Sequence, residues 1–596
     1  MSVVVSKRTD NIEIKLTAYH NCDDVQLYWL TKVNENISSP IEGCLGFILE
    51  RQRMDKNGKW LSIEILNNRV GFENTPVPTN NVEKEIFRTP SNICPFQTYN
   101  WTDHGANSGQ VVRYRVSAAK LPDNGIPGIS ILIPIADSGW TEAIKISAVN
   151  NNISAYFNRG FVMSQFVSRI ARINKWRPVD IKNNVRKLKE PLRVFLSGEL
   201  RLALLKMLDE VICDPSLELY AALYELSDDE LIGKLRLLQD RAHIILANGA
   251  KGDDDENSNA RRELNGANVD VHNRMLKNKG LGHNKFAIIY NTRTKKATKV
   301  WSGSTNWTPS GLCTQVNNGF LIEDEKVSEI YLDQWHRLFS ARNNFTQELI
   351  DKNAGSPRTS ENIDVWFTPI KSHSQRNNNG PKKDIKELMK LVKGAKEMLL
   401  YVMFQPGDEP LNSIMSLPSE IYVRGVVSTL TSSNEERFEL SGINTESNEY
   451  RTRLIQPEGI GEDISSWIKE VLRSQFIPKI GWAITHSKMI VIDPLSDDCI
   501  VITGSHNFSK AASESNDENF IIVKGNKPLA EAYAVACLST YAHYHWRAYA
   551  HDKISKGERI WAHLSDKPEW QERYLRSERI NDSKIWNKED ILKPVN

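Results

Sequence analysis

The stretch that decides the reading runs from Thr485 to Ser509, THSKMIVIDPLSDDCIVITGSHNFS. His486, Lys488 and Asp493 form H-x-K-x4-D along an apolar run, Met489 to Ile492, and a second apolar run, Ile500 to Ile502, leads into Gly504-Ser505-x-Asn507. Two such runs joined by a turn at 493–499 predict neighbouring buried strands. Strand residues two apart project to one side, so His486 and Lys488 put an imidazole and an ammonium on the same face. Gly504 admits close approach of the backbone to a ligand, and Ser505 and Asn507 add short polar groups at the same strand end. Together they describe a phosphate pocket containing a titratable group. H-x-K alone fits a core histidine beside a snorkelling lysine. The following acid and the downstream G-S-x-N point away from that.

The pattern occurs twice. Residues 282–307, GHNKFAIIYNTRTKKATKVWSGSTNW, hold His283, Lys285, Gly303, Ser304 and Asn306. His486 lies 203 residues after His283, and Gly504 lies 201 after Gly303. An offset that nearly repeats marks a duplicated half-domain. The first copy departs twice: Tyr290 stands where Asp493 stands in the second, and Gly319 is set against Glu518.

These residues resemble the H-K-D motif of the phospholipase D superfamily, and Ser515 to Ile522, SNDENFII, is similar to its N-x-E segment through Asn516 and Glu518. The resemblance implies an α/β phospholipase D-type fold, a pseudo-twofold duplicated unit of sheet and helix. It also implies a metal-independent phosphodiesterase working through a phosphohistidine. One histidine attacks phosphorus; the other protonates the leaving oxygen and then activates water. His283 is assigned as nucleophile and His486 as acid/base, with the reverse order open. Lys285, Lys488, Asn306 and Asn507 would clamp the phosphate, Ser304 and Ser505 would contact substrate, and Glu518 would orient a histidine. Asp493 is expected to be structural. No metal or cofactor is implied, since the lysines supply the charge a metal would bring. The altered first copy also admits a catalytically inactive phosphate-binding scaffold.

Composition is that of an ordinary globular chain: 596 residues, 40% hydrophobic, 25% charged, net charge +2. This excludes a generally basic nucleic-acid coat but not local patches. The seven cysteines are scattered without C-x-x-C spacing, so neither a disulfide framework nor a zinc site is suggested. No signal-peptide-like apolar segment opens the sequence and no apolar run approaches about 18 residues, which predicts a cytoplasmic protein.

Four regions follow from the pattern. Residues 1–152 alternate as strands (Ile12 to Leu16, Val25 to Leu30, Cys44 to Leu49, Val112 to Ala118) between turn clusters, predicting an all-β sandwich that resembles a fibronectin-III module and docks an unknown protein partner. Residues 153–352 predict the first half, with helices at 161–175, 198–213 and 228–240 and strands at 217–226 and 242–247. Residues 353–550 predict the second, with helices at 383–396 and 411–417, strands at 398–404 and 421–427, and loops at 371–383 and 431–453. Residues 551–596 form a charged tail whose Trp561, Trp570 and Trp586 would pack it onto the body.

From Lys277 to Lys299 there are seven basic residues and no acid. Lys295, Lys296 and Lys299 are therefore expected to bind a polyanion beside the pocket, which favours nucleic acid as substrate. Phospholipid is the alternative. The acids from Asp253 to Glu256 carry the opposite sign just upstream.

Overall fold

A computed structural model describes residues 2–76, 88–160, 176, 180, 183–250, 254–276, 280–355, 357–370, 380–418, 420–428, 453–455, 485–555, 563–576 and 579–589. The expected helix at 161–175, most of the loops at 371–383 and 431–453, Lys277, Lys279, Asp253 and Trp561 lie outside the described residues. The chain divides into two compact units. One joins Met1–Ser147 to Lys556–Asn596, and the other holds Ala148–Gly442 and Arg451–Ser555.

The first unit is built from antiparallel sheets. Strands Val3–Thr9, Ile12–His20, Val25–Val33 and Asn100–Asp103 form one; Ile133–Asp137, Val111–Lys120, Gly46–Arg53 and Glu64–Ile65 run in order through the other. Alternation puts Ile14, Leu16, Leu27 and Trp29 of the first sheet and Phe47, Leu49, Tyr114 and Val116 of the second into one core. Residues 563–589 complete this unit from the other end of the chain. Trp570, Tyr574, Leu575 and Ile580 join the core. The Trp586 ring stacks on Tyr28 at 5.3 Å, and its carbonyl accepts the Tyr19 hydroxyl at 2.6 Å.

The second unit contains two eight-stranded sheets of identical plan. By first residue, the strand orders are 149, 153, 318, 296, 285, 217, 242, 270 and 358, 363, 518, 500, 489, 398, 422, 453. In each, three parallel strands (217, 242, 270; 398, 422, 453) are followed toward the centre by the antiparallel strand after the H-x-K motif. Inner strands such as Met398–Met403 and Met489–Ile492 are apolar throughout because both faces are covered. Helices Pro191–Cys213 and Asp229–Leu238 pack against the first sheet, and Lys383–Lys393 and Asp408–Met415 against the second. Helices Glu325–Ala341 and Lys527–Ser555 each touch strands of both sheets. Neither was anticipated. Residues 529–541 of the second are buried on every side, which erases the one-sided helical stripe. Among the described residues, no helix is long and apolar enough to cross a membrane.

The Asp493/Tyr290 difference has a local explanation. Asp493 accepts from the backbone amides of Lys396, Glu397 and Met398 at 2.8 to 2.9 Å, tying the end of the motif strand to the start of its neighbour. In the first half the motif strand continues through Tyr290 to Asn291. There the tie moves to Thr292, whose amide and hydroxyl both donate to the Ser216 carbonyl at 2.9 and 3.0 Å. Asp493→Ala leaves three amides without their charged acceptor, so a loss of about 3 kcal/mol is expected as a lower denaturant midpoint of the second unit. Tyr290→Ala, which removes no such cap, should cost less.

Candidate active site

The two motifs meet at the boundary of the half-sheets. The His486 amide donates to the Val316 carbonyl at 2.9 Å, and the Asp517 amide donates to the Leu281 carbonyl at 2.8 Å. These short parallel bridges lay each H-x-K segment against the segment that opens the last strand of the opposite half. The two imidazoles face one another with ring centroids 6.5 Å apart, each 5% exposed.

Around them the halves are mirrored. Each lysine donates to the carbonyl of its own motif histidine, Lys285 to His283 at 2.7 Å and Lys488 to His486. Each lies over an aromatic ring at the end of the neighbouring strand, Lys285 at 5.1 Å from Tyr224 and Lys488 at 5.0 Å from Phe404. The same rings sit 4.7 Å from His283 and 4.8 Å from His486.

Each histidine is oriented by a residue of the other half, and here the symmetry breaks. His283 Nδ1 donates to Glu518 Oε2 at 2.7 Å. His486 Nδ1 lies 3.0 Å from Asn317 Oδ1 and 3.1 Å from the Ser304 carbonyl. The Asn317 amide is fixed by its own donation to the Gly311 carbonyl at 2.9 Å, which turns its oxygen to His486. Asn317, and not Gly319, is therefore the counterpart of Glu518: Gly319 pairs with Gly303 as Phe520 pairs with Gly504. The glycine offset of 201, applied to Glu518, leads to Asn317.

Three further expectations are corrected. The Ser505 hydroxyl donates to Glu518 Oε2 and the Ser304 hydroxyl to Asn317 Oδ1, both at 2.8 Å, so the serines hold the histidine-orienting groups and do not face substrate. The close approach that Gly303 and Gly504 permit is to a neighbouring strand: a Cβ there would come within 2.5 Å of the Asn318 carbonyl and 2.3 Å of the Asn519 carbonyl. Lys295, Lys296 and Lys299 sit toward the far end of the hairpin that begins at Lys285, with the turn roughly 20 Å away by strand rise. Lys296 pairs with Glu325 at 2.5 Å and Lys299 with Glu210 at 3.0 Å. The structure does not bring these three to the pocket.

Asn306 and Asn507 lie at the mirrored strand ends. Asn306 Nδ2 donates to Glu225 Oε2 at 2.7 Å, while Asn306 Oδ1 and Asn507 Oδ1 are buried without a partner among the described residues. Glu225 went unnoticed in the sequence because nothing local marks it; it follows the Leu217–Leu223 strand where Gln405 follows its counterpart. Arg274 went unnoticed too. It clamps Asp517, next to Glu518, across the two halves at 2.8 and 3.1 Å.

Burial governs the protonation of the site. It lowers His283 to about 4 against the opposing pull of Glu518, with Lys285 and Lys488 adding to the fall. His486 is pushed well below its ordinary value by burial and by Lys488, Lys285 and His283. Burial brings Lys285 to about 8 and Lys488 well below the usual lysine range, though Glu518 and Glu225 resist both. For Glu518, burial works upward, but His283 and Lys285 outweigh it and hold the carboxyl below its ordinary value. The empty site thus holds neutral imidazoles beside a carboxylate and lysines. It can bind an anion and offer a nucleophilic nitrogen.

His283 is accordingly expected to stay neutral down to about pH 4 in the free protein, as checked by histidine 15N spectra across pH. Glu518→Gln should lower that value further, because the carboxylate is what favours the imidazolium. The folded value lies below the ordinary 6.5, so the unfolded chain binds this proton first. The stability concerned is present above pH 6.5 and is lost as the pH falls toward 4.

Residues 421–536 match the family described as cardiolipin synthase, PLD-like domain. No curated protein matches the chain. Among solved structures, it is similar to polyphosphate kinase from Porphyromonas gingivalis, at 13% identity over 63% of this chain and 51% of that one, with a TM-score of 0.35. It is also similar to Nuc, a phospholipase D family member from Salmonella typhimurium (16% identity, 30% and 94% covered, TM-score 0.18). A third is the yeast tyrosyl-DNA phosphodiesterase (12%, 53% and 84%, TM-score 0.30). The chain spans about half the length of the kinase. The match to the PLD-like domain lies in the second half, and the first half repeats its strand order and its histidine-lysine pair.

Proposed function

We propose that this protein is a metal-independent phosphodiesterase that cleaves nucleic acid through a phosphohistidine on His283. The observation that carries the assignment of roles is the unequal support of the two imidazoles. A carboxylate on Nδ1 fixes the tautomer, makes Nε2 more basic and stabilises the positive ring formed when Nε2 bonds to phosphorus; only His283 has one. His486, held by the neutral oxygens of Asn317 and Ser304, is suited to shuttle a proton.

In the first step the His283 Nε2 lone pair forms the P–N bond, the P–O bond to the leaving group breaks, and His486, neutral in the free protein and protonated from solvent once the phosphodiester anion is bound, delivers its proton to that oxygen. In the second, His486 takes a proton from water, the water oxygen bonds to phosphorus, and the P–N bond breaks to restore His283. Lys285 and Lys488 balance charge on the non-bridging oxygens. Asn306 and Asn507 would contribute donors at the two strand ends.

Support for nucleic acid comes from the first unit. On the outward face of Val111–Lys120, the Arg113 guanidinium lies 4.3 Å from the Trp60 ring centroid and 4.9 Å from that of Trp140, with Arg115 at 4.8 Å on the same Trp140. Interleaved cations and aromatic faces are what successive bases stack on. This gives the unit a recognition role in a cytoplasmic enzyme. The description of the matching family favours a second reading, with a phospholipid as the phosphodiester.

Cleavage of bis(4-nitrophenyl) phosphate should survive EDTA and be lost in His283→Ala and in His486→Ala, with the double variant no slower than either single one. Acid-labile, base-stable phosphate retained on His486→Ala but absent from His283→Ala would identify the nucleophile. Against DNA, RNA and vesicles of phosphatidylcholine and cardiolipin, His486-dependent cutting of a nucleic acid is expected, with Trp140→Ala raising KM and leaving the small diester unaffected. Head-group release with no nucleic acid cut would assign the lipid. Full activity of His283→Ala would overturn the mechanism.

A further inference from the structure

A phosphate pocket is expected to present donors and cations, yet this one contains a carboxylate that orients no histidine. Glu225 is partly buried just past the strand Leu217–Leu223, and its Oε2 accepts from Asn306 Nδ2 at 2.7 Å. The groups that face it are Lys285 from the first motif, Lys488 from the second and Glu256 from the loop before helix Ser258–Gly266, with Tyr224 beside it in the chain. At the mirrored position of the other half stands Gln405, which has the same shape and no charge.

Glu225 and Glu518 share the site with Lys285 and Lys488, whose charged forms burial disfavours. Glu518 is committed to His283, to the Ser505 hydroxyl and to Asn516 Nδ2. A phosphodiester adds negative charge to a largely buried cluster that already holds two carboxyl groups. Of the two carboxylates, Glu225 is the one that can give up its charge without releasing a histidine. Burial and the neighbouring Glu256 already move its carboxyl upward, against Lys285, Asn306 and Lys488. Asn306, whose amide orientation Glu225 sets and whose Oδ1 has no partner among the described residues, transmits that change to the strand end where phosphate would sit.

We infer that Glu225 matches the charge of the pocket to its ligand: it is ionised in the free site and takes up one proton from solvent when a phosphodiester anion enters. This rests on the reading of the site as an anion pocket. The balance is one anion and one proton bound together, with no bond made or broken in the diester. Glu225 is a positioning residue here, acting through Asn306 and through the net charge. Binding therefore weakens as pH rises above the value for Glu225 in the free site, by about tenfold per pH unit until the bound-state value is reached.

The test uses the full chain and sulfate, a tetrahedral anion that does not itself titrate between pH 5 and 8. Calorimetric titration at pH 7 in two buffers of different ionisation enthalpy reads the protons exchanged. The natural protein is expected to take up about one proton more per sulfate than Glu225→Gln, which still binds but with a pH dependence shallower by about tenfold per unit. Gln405→Glu, which adds the mirrored carboxylate, should raise the uptake above that of the natural protein and supplies an independent check should the first variant fail to fold. Uptake in Glu225→Gln equal to that of the natural protein would belong to a histidine or Lys488 and would overturn the inference, as would no uptake in the natural protein or unchanged uptake in Gln405→Glu. Sulfate bound without proton exchange removes this inference alone. Sulfate bound by neither protein, with no phosphodiester cleaved, removes the catalytic reading with it.

Discussion

Neither imidazole takes its Nδ1 partner from its own half. The carboxylate on His283 comes from the last strand of the second sheet and the amide on His486 from the last strand of the first, so the site exists only where the two sheets are joined. The joint is stiff for a physical reason. Arg274 and Asp517 are each almost wholly buried, and separating them would leave a bare charge in the interior. Asn318 and Asn519 cross the same boundary, the first donating to the Thr503 hydroxyl and the second accepting from the Ser302 hydroxyl. These paired contacts keep the two rings 6.5 Å apart.

Within that frame the duplication is imperfect, and three of the differences lie at the pocket. Tyr224 answers Phe404, Glu225 answers Gln405, and Asn317 answers Glu518. Elsewhere the halves could diverge freely as long as core volume was kept. At the pocket, each exchange changes charge or hydrogen-bonding capacity. Two equal imidazoles become one ring backed by a carboxylate and one backed by neutral oxygens, and that inequality gives the site a direction.

Much of this could be read from residue order, because the signals are local or periodic. His283, Lys285, His486 and Lys488 follow from spacing, and strands such as Ala242–Ala247 from unbroken apolar runs. What could not be read depends on distance in space. Lys295, Lys296 and Lys299 are adjacent to the first motif in sequence but lie a strand's length away, where Lys296 pairs with Glu325 and Lys299 with Glu210. Ser304 and Ser505 look like ligand donors until their cross-strand acceptors are seen. Glu225 carries no signature of its own, since its meaning lies in the lysines brought beside it. The helix Lys527–Ser555 touches both sheets, and its residues 529–541, buried on every side, show no amphipathic rhythm.

The β-sandwich at the start of the chain is closed by Trp570, Tyr574 and Trp586, more than 400 residues later, with the whole two-sheet unit spelled out between. Synthesis runs from the N-terminus, and domains fold as units once their parts are available. The first-made sheets must therefore wait, with Tyr19 and Tyr28 uncovered, while the unit encoded later has all its strands and can assemble. Order of appearance and order of completion are reversed in this chain. The sandwich acquires its full core only after the histidines already have their scaffold.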